Sequence, residues 1–114
     1  MGANQSFLKA KQTAESIPDA DEKSDVLTEI AQAQSKAGDV TGAQQTAEGI
    51  TDALQKAVAL ARIARAQAES GNLASAQQTL IRSKQIVNGI TRRDVKVLVL
   101  TKIVTILSEA ADKK

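Results

Sequence analysis

The sequence predicts an all-α fold, a solenoid of stacked antiparallel αα-hairpins with about six helices in one domain, 1–114. Three observations carry this expectation. The chain is rich in strong helix formers, with 42% hydrophobic residues, a single Pro and a single aromatic residue. A long segment repeats at a fixed offset. The turn signals between helices recur with the repeat. At 114 residues there is room for one modest core and not for two.

The repeat is read directly. Residues 30–47 are IAQAQSKAGDVTGAQQTA and residues 63–80 are IARAQAESGNLASAQQTL, nine identities in eighteen positions at an offset of 33. Upstream, Ile17-Pro18-Asp19-Ala20 falls under Ile50-Thr51-Asp52-Ala53 at the same offset. Downstream the offset lengthens to 40, where Gly49-Ile50-Thr51 matches Gly89-Ile90-Thr91 and Ile63 matches Ile103. Seven extra residues are about two helical turns, which lengthens a helix without rotating its buried face away.

The elements follow in order. A first helix, α1, is expected at about 5–16. Pro18 then suits a helix start, and α2 is expected at about 20–37 with Asp19, Asp21, Glu22 and Asp25 near its positive end. Gly38-Asp39 ends α2 and opens α3, about 40–48. Glycine takes the left-handed position, and the Asp accepts from first-turn amides. Gly49-Ile50-Thr51 is expected to repeat that device before α4, about 52–70. Its apolar residues, Leu54, Ala57, Val58, Ala61, Ala64 and Ala68, step by three and four, and Leu60, Ile63 and Ala66 form a second line. A helix apolar on two faces is packed on two sides. Gly71-Asn72 leads to α5, about 73–88, and Gly89-Ile90-Thr91 to α6, about 92–110, with Asp94 placed to help cap it. Connections of two to four residues make neighbouring helices antiparallel. The repeat cores are expected at 17–49, 50–89 and 90–111.

Composition excludes much chemistry. Cys, His, Trp and Tyr are absent. Without them there is no thiolate nucleophile, His-based triad, His/Cys metal site or disulfide. No Gly-rich phosphate loop occurs, and the acidic cluster at α2 lacks the EF-hand pattern. Neither a cofactor nor a metal is expected, and the chain reads as non-enzymatic. Stacking on nucleic-acid bases lacks aromatic residues, so nucleic acid is disfavoured as a partner.

The net charge of +2 hides an asymmetry: residues 1–50 carry 4 basic and 8 acidic side chains, and residues 51–114 carry 11 and 5. Arg82, Lys84, Arg92, Arg93 and Lys96 form one basic patch. No signal peptide and no apolar run of about 18 residues appears. A membrane partner is therefore disfavoured, and the cytoplasm is favoured over an exported mature fragment. The start MGANQS matches the myristoylation pattern at Gly2 and Ser6, but a Met-Gly left by expression explains it better.

The run I-A-x-A-Q-x-x-x-G-[DN]-[VL]-x-x-A resembles a degenerate tetratricopeptide repeat. Leu27, Ile30, Ala31 and Gln34 take the places of that family's first helix, and Gly38, Asp39, Val40 and Ala43 its turn and second helix. In the next copy the places fall to Leu60, Ile63, Ala64, Gln67, Gly71, Asn72, Leu73 and Ala76. The family's aromatics are replaced by Leu, Gln, Val and Ala, the period is 33 rather than 34, and the late Pro is missing. HEAT-like repeats and a plain six-helix bundle remain the rival architectures.

The resemblance implies a right-handed solenoid whose first helices line a concave groove. The inward positions would be Thr28, Gln32 and Lys36 on α2, Val58, Arg62 and Arg65 on α4, and Leu98, Lys102 and Thr105 on α6. Gln32, Lys36, Arg62, Arg65 and Lys102 would then form a groove for a protein partner or acidic peptide. The family's carboxylate-clamp pattern is not reproduced. α6 is apolar on two stripes: Val95, Leu98, Val99, Ile103 and Ile106, and Val97, Leu100, Val104 and Leu107. The second stripe is expected to support self-association, such as a homodimer, since an exposed patch of that kind marks an interaction site. The sequence thus supports a binding or scaffold module, with structural homo-oligomerisation through α6 as the alternative.

Overall fold

Short polar turns keep interrupting good helix formers, so the chain folds as consecutive helices. The computed structural model describes residues 2–112, with side chains from 5 to 109. The reading of the N-terminus as an acylation signal lies outside the described side chains. Among the described residues there are six helices and no strand: α1 Gly2–Glu15, α2 Ala20–Lys36, α3 Val40–Glu48, α4 Ala53–Glu69, α5 Leu73–Asn88 and α6 Arg93–Asp112. The connections alternate between four and three residues. α5 is 16 residues long against 9 for α3, so the seven-residue lengthening of the repeat lies in the helix itself.

The three-residue turns are built alike. Gly38 has φ 90° and Gly71 has φ 86°. Asp39 N–H then donates to Gln34 O at 2.8 Å, and Asn72 N–H to Gln67 O at 2.8 Å. Each is a Schellman closure that satisfies helix-end carbonyls. The residue after each glycine caps the next helix: Asp39 accepts from Gly42 N–H at 2.9 Å and Asn72 from Ser75 N–H at 3.3 Å.

The four-residue turns differ from the sequence expectation. Gly49 and Gly89 have right-handed backbones, φ −73° and −82°. They end their helices without the left-handed step. Asp19 and Asp52 cap α2 and α4, accepting from Glu22 and Gln55 amides at 2.9 and 3.0 Å. At the start of α6 the equivalent residue is Arg92, which has no acceptor to offer. Asp94 does not cap the helix either; it pairs with the Arg92 guanidinium at 2.8 Å.

Packing centres on α4. It contacts α2, α3, α5 and α6, and its Ala57, Ala59, Leu60, Ala61, Ile63, Ala64, Ala66 and Gln67 are all buried. That is the helix read as apolar on two sides. The core runs in three clusters along the chain. Ala14, Leu27, Ile30, Ile50 and Ala59 join the first helices. Ala31, Ala43, Ala47, Leu60 and Ile63 join the middle ones, and Ala57, Val87 and Val99 join α4, α5 and α6. Ala at 31, 43, 47, 57 and 64 lets helix axes approach closely, where a larger side chain would overpack. Extents of 42 × 36 × 20 Å make a slab about two helices thick.

Buried polar groups repeat as well. Thr46 Oγ1 donates to Gln34 Oε1 at 2.7 Å, and Thr79 Oγ1 to Gln67 Oε1 at 2.8 Å. Each bond joins the last turn of one helix to the second turn, or later, of the next. Ser83 Oγ adds a buried bond to Ala57 O at 2.7 Å.

Candidate functional site

α2, α4 and α6 pack side by side, and a groove of about 450 Å³ opens along them. Its lining includes Thr28, Gln32, Val58, Arg62 and Lys102, five of the nine positions expected to face inward. Leu54, Gln55, Ala59, Ser24, Asp25 and Glu29 complete it. Gln55 is held by its Nε2, which donates to Asp21 Oδ1 at 2.7 Å across to the start of α2.

The charges in the groove are of both signs. Asp25 and Glu29 stand on α2, Arg62 on α4 and Lys102 on α6. None of the four has an ion pair or side-chain hydrogen bond among the described residues. Glu29, Arg62 and Lys102 are one repeat position, related by the offsets of 33 and 40. The repeat therefore delivers three charged side chains, one per helix, to the same surface. Glu29 lies 33 residues before Arg62, so the repeat offset alone marks it in the sequence.

Two expected groove residues lie elsewhere. Arg65 is engaged by Glu69 at 3.6 Å and by Glu109 at 3.4 Å. Lys36 is exposed in the last turn of α2 and does not line the groove. Leu98 is exposed outside the groove, and Thr105 opens onto a different surface.

That second surface is the outer side of α6. Val97, Leu100, Thr101, Val104 and Thr105 line a shallow apolar trough. Val97, Leu100 and Val104 are 57%, 44% and 61% exposed, while Leu107 is half-buried. Of the other stripe, Val99 and Ile106 are buried, Val95 and Ile103 half-buried and Leu98 exposed. α5 makes only slight contact with α6 and leaves this trough uncovered.

The second basic patch is partly neutralised. Arg82 Nε and an Arg82 terminal nitrogen each donate to the Glu48 carboxylate at 3.1 Å, and Lys56 approaches the same carboxylate at 3.3 Å. The Arg82 bonds, helped by Lys56, hold Glu48 below its ordinary pKa of 4.5, against a smaller opposing effect of burial. The same contact raises Arg82. Arg92 is occupied by Asp94.

Among the described residues no three acidic side chains converge to hold a metal ion, and no helix is long and apolar enough to cross a membrane. Comparison with family models, with curated proteins and with solved structures gives no match.

Proposed function

We propose that the chain is a non-enzymatic protein-interaction module, a stack of αα-hairpins similar to tetratricopeptide repeats, whose groove between α2, α4 and α6 holds a segment of a partner protein. The observation that carries this reading is the set of four charges, unpaired among the described residues, that line one groove with Val58, Leu54, Ala59 and Thr28. The helices fix where these charges stand, and none has to break an ion pair within the described residues before it meets a ligand, although each side chain loses rotamer freedom on binding. The 33-residue offset and the side-by-side packing of α2, α4 and α6 support the stacked architecture.

An acidic side chain seated between Arg62 and Lys102 would form charge-assisted hydrogen bonds. Asp25 and Glu29 disfavour a segment acidic throughout and favour one with a basic residue beside the acidic one. Such mixed charge sets orientation as well as affinity.

A random-peptide display selection on the whole protein tests the reading. The expected result is enrichment of peptides pairing an acidic with a nearby basic residue. The Arg62→Glu/Lys102→Glu variant should lose the acidic preference. No enrichment, or the same motif from wild type and variant, would contradict it.

A further inference from the structure

The outer face of α6 corresponds to a helix seat that is filled on α2 and α4 and stands exposed on α6 among the described residues. The repeat offsets align three sets of positions: Ser24, Leu27, Ala31 and Gln34 on α2; Ala57, Leu60, Ala64 and Gln67 on α4; Val97, Leu100, Val104 and Leu107 on α6. The first two sets are buried throughout. Hydrogen bonds tie Gln34 to Thr46 on α3 and Gln67 to Thr79 on α5, so each seat holds the following helix of its hairpin. In the third set Val97, Leu100 and Val104 are exposed.

The third seat has also changed chemistry. Ala31 and Ala64, which admit a close helix, become Val104. The Gln that bonds a Thr in the other two becomes Leu107. A helix of the α3 or α5 kind, with small residues and a Thr for the Gln, no longer matches. An occupant with bulky apolar side chains does, and α6 itself carries them.

We propose that this seat takes α6 of a second copy of the chain, running antiparallel, as a weak homodimer. The spacing of Val97, Leu100 and Val104 is self-complementary about a two-fold axis near Leu100 and Thr101. Val97 then lies over Val104 of the second copy, and Val104 over its Val97, as an isologous contact requires. Charge selects the direction. Arg93 and Lys96 stand at the positive end of α6, and neither has an ion pair among the described residues. A parallel pair would set them against their own copies. An antiparallel pair carries Arg93 towards the negative end of the second α6, with its stem over Leu107.

The patch is small. Residues 93–108 form a strip about 24 Å long and about 10 Å wide, roughly 250 Å² against about 800 Å² per partner in a standard interface. The dimer is therefore transient and forms at high protein concentration. Lys102 lies on the other side of α6, so the groove stays open in the pair.

Sedimentation velocity from about 1 μM to 1 mM tests the pairing. Average mass should rise from 12.0 kDa towards twice that value, and Val97→Glu or Val104→Glu should hold it at 12.0 kDa with unchanged helical circular dichroism. Orientation is read from disulfides, against no background because the chain has no Cys. Val97→Cys mixed with Val104→Cys should cross-link. Val97→Cys alone should not, since its two copies would lie about 10 Å apart along the axis. A constant 12.0 kDa, a mass rise that both Glu variants retain, or efficient linkage of Val97→Cys to itself would overturn the proposal.

Discussion

Gln67 carries two polar atoms into a fully buried site, and only one is satisfied. Its Oε1 accepts from Thr79, while its Nε2 has no partner among the described residues. The equivalent Gln34 sits beside Gly42, where any Cβ would collide with the Asp39 carboxylate and crowd Gln34 Nε2. The second copy has Ser75 and Asn72 at those places. Thr79→Val would leave Gln67 with neither atom satisfied, at about 1–3 kcal/mol. Adding Gln67→Met removes both stranded groups and should recover most of that loss. Urea melts of wild type, single and double variants measure it; equal destabilisation of single and double would show that the bond, not the stranded amide, matters.

The repeat made Gln34 and Gln67 visible in the sequence, but their hydrogen bonds were not. A glutamine at an otherwise apolar helix position does not reveal its partner, twelve residues away, until the fold brings the two together. Arg65 shows the same limit. It lies three residues from Arg62 on one helix face, yet Glu109, 44 residues on, occupies it. Sequence spacing reports a shared face and not which charge is already taken.

At the scale of elements, helix positions were legible because Gly38-Asp39 and Gly71-Asn72 combine a left-handed residue with a cap, a local chemistry that needs no tertiary context. The same reasoning failed at Gly49 and Gly89, whose backbones are right-handed; after Gly49 it is Asp52, not the glycine, that defines the start of α4. Arg92 replaces that aspartate in the third copy, which leaves α6 without a side-chain cap. Its exposed pair with Asp94 contributes little. Arg92→Asp should therefore stabilise the protein by ~0.5–2 kcal/mol, read as a rise of a few degrees in melting temperature. A lower melting temperature would mean that the Arg92–Asp94 pair holds α6 in place.

Glu48 joins three elements, at the end of α3 with Lys56 on α4 and Arg82 on α5. Its folded pKa lies below the ordinary 4.5, so the folded state binds a proton less readily than the unfolded chain. The stability it adds is present above about pH 4.5 and is lost as pH falls through the folded value. Both side chains of the Arg82 pair are more than a third exposed, so screening reduces the effect. Glu48→Gln should lower the melting temperature slightly at neutral pH and flatten its fall over that acid range. An acid limb identical to wild type would place the pH sensitivity in other carboxylates.

For the whole molecule, the repeat does two things at once. It stacks a buried set of small and branched residues along α2, α4 and α6, and it brings Glu29, Arg62 and Lys102 to one groove. The periodicity that forms the core thus also positions the candidate site. The sequence suggests a basic groove through Lys36, Arg62, Arg65 and Lys102, whereas Asp25 and Glu29, on the same helix face as Gln32, bring acidic charge to it. The apolar outer stripe of α6 was legible as an excess of branched residues. That its positions match ones buried on α2 and α4 depends on tertiary packing, which the sequence does not display.

The most direct test of the binding account is a charge-swap titration. A selected peptide, fluorescently labelled, is titrated by anisotropy with wild type and with the Arg62→Glu/Lys102→Glu variant. Each titration is repeated with the peptide's acidic residue changed to Lys. The account predicts that the variant loses at least tenfold affinity for the original peptide, about 1.4 kcal/mol, and regains binding with the reversed peptide. Equal affinities across all four combinations would place binding away from Arg62 and Lys102 and contradict the account.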